Sequence, residues 1–227
     1  MKKLNFIIKY GLALLLLSFY SCESWLNVTP SDRLSEEMLF NDREGFVKAL
    51  NGVYIELNTN ELYGRNLTAG ALDVMGQYYS VASSSHAFYN YGGLVYTGND
   101  EKALFDNMWQ KCYAVIACCN TIIEKCDENK AGLSPVWRGS IKGEALALRA
   151  MLHFDMLRLF GPLTSELDKE SIPYQTNSDQ TVTPLLSGSE VVGLILDDLK
   201  NAVGLLKDTD PYFVEEEFSD TDLNYRR

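Results

Sequence analysis

The apolar positions of this chain fall into one short run, several helical stripes and two stretches without a period. The run is Tyr10–Tyr20, about eleven residues behind a basic lead of Lys2, Lys3 and Lys9. A bilayer span needs roughly 20 apolar residues, so this run is too short to remain in a membrane. The first stripe, Phe46, Leu50, Tyr54 and Leu57, predicts a helix that starts at Asn41, with Glu44 three residues on as a capping box. A weaker helical stretch is predicted over Leu62–Met75, where Gly64, Asn66 and Gly70 work against it. Residues 77–100, QYYSVASSSHAFYNYGGLVYTGND, have no helical period and read as a long loop.

A long helix follows from about Asp100 to Asp127, with Phe105, Trp109, Cys112, Ile116, Cys119, Ile123 and Cys126 along one face. Ser134 and Pro135 open the next helix, because proline at the first helical position sacrifices no hydrogen bond; it runs to Phe160 and stops at Gly161-Pro162. Residues 162–186 carry three prolines and read as a loop. Ser187 and Glu190 then cap a last helix with the stripe Val192, Ile195, Leu199, Ala202 and Leu206. Pro211 and an acidic tail close the chain. The predicted fold class is all-α: two consecutive antiparallel pairs of long helices that bury their stripes against one another.

The first 21 residues have the layout of a secretory signal peptide: basic lead, short apolar core, and the small residue Ser21 directly before Cys22. Cleavage there leaves a cysteine at the new N-terminus, where acyl chains can be added; each buried methylene contributes roughly 0.8 kcal/mol to anchoring. Cys22 is therefore the expected lipidation site, with ordinary signal cleavage as the alternative. The expected organisation is a signal peptide over 1–21 and a helical domain over 22–227. Removing residues 1–21 takes away three lysines and no acid, which moves the formal net charge from −11 to about −14. A chain that acidic is not built to track phosphate backbones, so no nucleic-acid partner is expected.

The remaining cysteines are Cys112, Cys118, Cys119 and Cys126. Residues seven apart on one helix are about 10 Å apart along its axis, beyond the roughly 7 Å between Cα atoms that a disulfide allows. Their spacing also fits no zinc pattern, so Cys112, Cys119 and Cys126 read as small core hydrophobes; no metal or cofactor is expected.

The stretch IKGEALALRAMLHFDMLRLFG, residues 141–161, resembles the signature helix of the SusD/RagB family of outer-membrane nutrient-uptake lipoproteins of Bacteroidota. The matching residues are Gly143, Glu144, Ala145, Leu148, Arg149, Ala150, Phe154, Asp155, Arg158, Leu159, Phe160 and Gly161. SCESWLNVTP, ALNGVYIEL, ACCNTIIEKC with Asn120, and LDDLKNAVGLL resemble further family landmarks in the same order. The resemblance implies tetratricopeptide-like helix pairs with long irregular loops. It also implies a lipid anchor at the outer membrane with exposure at the cell surface, and a TonB-dependent SusC-like barrel as partner. Capture of an oligosaccharide or peptide, without catalysis, completes the expectation. Members of the family are more than twice this long, so the resemblance covers their N-terminal region.

The charges of the signature helix, Glu144, Arg149, Asp155 and Arg158, sit among apolar residues at helical spacing and read as pairing or flanking the core; His153 reads as a packed or surface histidine. His86 beside Ser83, Ser84 and Ser85 lacks the glycine elbow and orienting acid that a nucleophile needs. No catalytic residue is expected. The ligand candidates lie in the aperiodic aromatic stretch: Tyr78, Tyr79, His86, Phe88, Tyr89, Asn90, Tyr91 and Tyr96. Aromatic faces stack on sugar rings while hydroxyl and amide groups hydrogen-bond beside them. The alternative is that these rings pack the stretch onto the helices or onto a partner. An adhesive or purely structural surface lipoprotein, and a fragment without function, are the other readings of the whole.

Overall fold

The computed structural model describes residues 36–179 and 181–210. The signal peptide and Cys22 lie outside the described residues, as does the acidic tail. The chain divides into two units at Met38/Leu39, and the architecture described here belongs to the second. A single turn, α1 (Glu36–Leu39), stands at the border.

Helix α2 (Arg43–Leu57) starts later than the sequence predicts: Asp42, not Asn41, is the cap, and its carboxylate accepts from the Gly45 N–H at 2.9 Å. An aspartate oxygen satisfies one of the orphan amides of the first turn, and the chain nucleates where that is available. The buried stripe is Phe46, Leu50, Val53 and Leu57. Tyr54 is turned outward instead, and its hydroxyl donates to Glu144. Residues 60–70 are turns rather than helix, and only α3 (Ala71–Met75) is helical in the predicted Leu62–Met75 stretch. Gly64 is one cause: a Cβ there would lie 2.4 Å from the Asn58 carbonyl oxygen, so the chain folds back on itself more tightly than a helix. A one-turn helix, α4 (Tyr89–Gly92), interrupts the long loop.

Helix α5 (Asn99–Glu128) buries Cys112, Ile116, Cys119, Ile123 and Cys126 as expected. Burial pushes the thiols of Cys119 and Cys126 up to about 12, so they stay protonated and inert at neutral pH. Helix α6 (Pro135–Phe160) is capped by Ser134, whose hydroxyl accepts from the Trp137 N–H. Its buried residues, among them Ile141, Ala145, Leu148, Ala150, Leu152 and Met156, run most of the way round the axis, because α2, α5 and α7 all pack on it.

The predicted 162–186 loop contains a 3-10 turn (Thr164–Glu166) and two short antiparallel strands, β1 (Glu170–Pro173) and β2 (Leu185–Ser187), paired Glu170 to Ser187 and Pro173 to Leu185. Helix α7 (Gly188–Thr209) carries the expected capping box between Ser187 and Glu190. It packs antiparallel to α6: Gly139 meets Thr209, Gly143 meets Leu206, and Arg149 meets Asp198. A Cβ on Gly143 would lie 2.8 Å from Leu206 Cγ, so only glycine permits this approach. The buried face of α7 is Val191, Ile195, Asp198 and Ala202: Ile195 and Ala202 belong to the predicted stripe, while Val191 and Asp198 are buried in place of Val192 and Leu199. The all-α expectation holds, with the small two-stranded sheet as an addition.

Candidate functional site

Residues 77–97 sit against the N-terminal part of α5. Ala71 and Val74 of α3 and Tyr91 of α4 form a small core of their own, onto which Phe88, Tyr96, Leu104 and Phe105 pack. Gln77, with φ of 61°, closes the neck of the segment: its Nε2 donates to the Gly92 carbonyl at 2.9 Å. Asn90 Nδ2 donates to Glu101 Oε1 at 2.7 Å and ties α4 to α5. Arg65 lies over the Phe88 ring, 5.9 Å from its centroid.

The candidate residues separate into two groups. Tyr91 is 2 % exposed and inside the small core; Phe88 and Tyr96 are half-buried, each in edge contact with a neighbouring ring. Tyr78 is 82 % exposed, and Tyr79, Tyr89, His86 and Asn90 are also at the surface. The Tyr79 hydroxyl donates to the Ala69 carbonyl, which ties that ring to the turn before α3. His86 Nδ1 accepts from the Phe88 N–H, and the hydroxyls of Ser83 and Ser85 bond each other, so the serines and the histidine are engaged within the loop. Two exposed residues escaped the sequence reading, Leu94 and Val95, of which Leu94 holds φ of 55°. The signal for them was an apolar pair set between Gly92-Gly93 and Thr97-Gly98.

A second constellation lies further along α5, where residues 174–178 form a strap bonded to side chains of α5, α6 and α7. Arg149 of α6 grips Asp198 of α7 with two bonds of 2.7 Å and gives a third, 2.8 Å, to Asn120 Oδ1 of α5. Asn120 in turn donates to the carbonyls of Gln175 and Asn177, and Glu124 accepts from the Ser178 N–H and hydroxyl. Tyr174 donates to Asp198 at 2.6 Å. His153 Nε2 accepts from the Gln175 N–H at 3.0 Å, which requires that nitrogen to be bare; the proton is therefore on Nδ1, which donates to the Arg149 carbonyl at 2.9 Å. Burial, followed by the Arg149 charge, holds the His153 pKa down at about 4 against the pull of Asp198 and of the Arg149 carbonyl. Burial opposes the charge on Arg149, but hydrogen bonding and attraction from Asp198 outweigh it and raise its pKa. On the α5 side of the α6–α7 pair these groups border a groove of about 670 Å³ with Lys142, Leu146 and Asn201 on its walls.

A SusD-like family model, described as starch-binding and associating with the outer membrane, matches residues 24–219. The chain belongs to the SusD-like family. Among curated proteins it is similar to SusD-like protein P38 of Formosa agariphila, 27 % identical over 199 residues that make up 80 % of this chain and 34 % of that protein. It is also similar to SusD-like protein P2 of the same organism, 26 % identical over 166 residues, 71 % of this chain and 30 % of the relative. The chain thus spans about a third of the length of the curated relatives it matches. In this SusD-like chain the buried polar residues of the signature helix hold the strap, which makes them structural. The exposed tyrosines stand apart from them on the α3–α4 segment. Among the described residues no helix is long and apolar enough to cross a membrane.

Proposed function

We propose that this SusD-like chain acts as a surface-exposed outer-membrane lipoprotein that captures a glycan through Tyr78, Tyr79 and Tyr89 and passes it to a TonB-dependent SusC-like barrel. It binds and does not catalyse. The observation that carries the reading is the exposure of these rings on a segment anchored by its own small core, in a chain whose family is described as starch-binding. Tyr79, whose hydroxyl is tied to the Ala69 carbonyl, offers a ring face without losing much side-chain freedom on binding.

Electrophoresis of residues 22–227 through gels containing soluble starch, and through a panel of other polysaccharides, tests this. Retardation by at least one glycan is expected, and Tyr78→Ala should weaken it by about 1 kcal/mol, roughly fivefold in Kd. Unretarded migration of the folded chain in every gel, or retardation that Tyr78→Ala, Tyr79→Ala and Tyr89→Ala all leave intact, counts against the tyrosine face.

The anchor is tested separately. With Cys22→Ala the protein should leave the outer-membrane fraction and no longer incorporate labelled palmitate. Retention equal to wild type would rule out lipidation at that residue.

A further inference from the structure

The groove between α5, α6 and α7 has an electrostatic character opposite to that of the chain. It joins a smaller cleft of about 190 Å³ through Asp127, Lys142 and Leu205, and the two run from Thr176 of the strap to Pro135 at the start of α6. Along the α6 wall Arg138, Lys142, Leu146 and Arg149 recur at spacings of four, four and three, a row about 16 Å long. Arg138, Lys142, Arg149 and Lys200 outnumber the lining acids Asp127 and Asp198, in a chain of formal net charge −11. Asp198 is committed to Arg149 and Tyr174. Asp127 meets Lys142 at the rim with its own side chain 59 % exposed, and a pair that open holds its lysine weakly. Donors are left over. The exposed side chains of Arg138 and Asn201 have no bonded partner among the described residues, and Nη2 of Arg149 has one bond for its two hydrogens.

We infer that this groove is a second binding site, one for an acidic oligosaccharide whose carboxylates lie along the row from Arg138 to Arg149. Surplus donors and cations select an anion, and the length of the row selects an elongated one over a single small ion. The larger cavity alone, about 670 Å³, is of the size that encloses small ligands. Ile123, Leu146 and Leu205 set apolar patches among the polar groups, against which the C–H faces of sugar rings rest. An acidic peptide suits these walls less well. Over most of their length they are helix interior with backbone groups already paired, so the amides of an extended peptide would go unmatched. Along α5 the groove begins at Ile123, about 27 Å from Phe105, onto which the tyrosine-bearing segment packs. The site is therefore separate from the tyrosine face and does not depend on it.

Isothermal titration calorimetry of residues 22–227 carrying Cys22→Ser tests it, with tetrasaccharides of galacturonate, of mannuronate and of chondroitin as probes. At least one should bind, and more weakly as salt is raised. Arg138→Ala should lower that affinity about tenfold, because it removes a charge-assisted hydrogen bond. Gly204 lies on the α7 wall, where a Cβ would meet open space, so a glutamate there fits the fold and puts a negative charge into the groove. Gly204→Glu should abolish binding, while Gly204→Ala and Tyr78→Ala leave it unchanged. Replacing a glycine inside a helix also raises helix propensity, which favours folding of both variants. The inference is overturned if none of the saccharides binds, if binding survives Gly204→Glu, or if Arg138→Ala leaves it unaltered. Loss of binding with Tyr78→Ala overturns it as well, because the acidic sugar would then sit on the tyrosine face. So does equal binding of tetraglutamate, which would show that the groove reads charge alone.

Discussion

Asp198→Ala is expected to lower the stability of the folded chain by about 3–5 kcal/mol, because it leaves the Arg149 guanidinium buried and unpaired. Both members of the pair are almost wholly shielded from water, and among the described residues the guanidinium has no second carboxylate as a bonded partner. Tyr174 loses its acceptor in the same stroke. A carboxylate at the surface would count for well under 1 kcal/mol, so the size of the effect distinguishes a buried pair from a solvated one. Arg149→Met combined with Asp198→Leu should recover much of the loss, since apolar side chains of similar volume remove both charges together. Urea denaturation of residues 22–227 measures all three variants. A loss below about 1 kcal/mol for Asp198→Ala would show that the pair is hydrated in solution.

The second large effect is on pH dependence. Unfolded, His153 titrates near 6.5; folded, its pKa is held at about 4. The neutral form is therefore the one the fold prefers. Its contribution is complete above the unfolded pKa and is lost progressively as pH falls from about 6.5 to about 4. The loss by pH 4.5 is on the order of 2–3 kcal/mol. Protonating Nε2 would set a donor against the Gln175 N–H donor and place a second cation beside Arg149, with only Asp198 to oppose it. His153→Gln removes the titration while keeping a polar side chain. The stability of wild type minus that of His153→Gln should fall over this window, because the carboxylates titrate in both and cancel. A difference that stays flat from pH 7.5 to 4.5 would mean that His153 is not held neutral by the fold.

Helices and caps were legible where the signal was local. Ser187 and Glu190, Ser134 and Pro135, and the cysteine stripe of α5 each lie within a few residues of what they determine. The facing of α7 was legible only at Ile195 and Ala202, because its outer residues are as apolar as its inner ones and periodicity alone cannot say which stripe faces α6. Asp198 was the missed clue: an acid at the pitch of Ile195 and Ala202 marks the face where a partner cation waits. Tyr54 left its stripe for a similar reason, since a phenol within reach of Glu144 does better at the edge than inside. In the aromatic stretch, composition pointed to the segment but could not separate Tyr91 from Tyr78. That division depends on Ala71 and Val74, some twenty residues upstream. The strap was out of reach altogether, because its bonds run to side chains on three different helices.

Those same bonds impose an order on biogenesis. A polypeptide emerging N-terminus first, from a ribosome or through a translocation channel, presents α5 and α6 before Asp198 exists outside the exit. During that interval Arg149 is a bare cation on the surface that must later become dry. Asn120 and His153 meanwhile wait for the backbone of Gln175, which follows them by 55 and 22 residues. Sealing of the three-helix interior is thus timed by the arrival of α7, and any nascent chain stalled before residue 198 is left open to water and to chaperones along that seam.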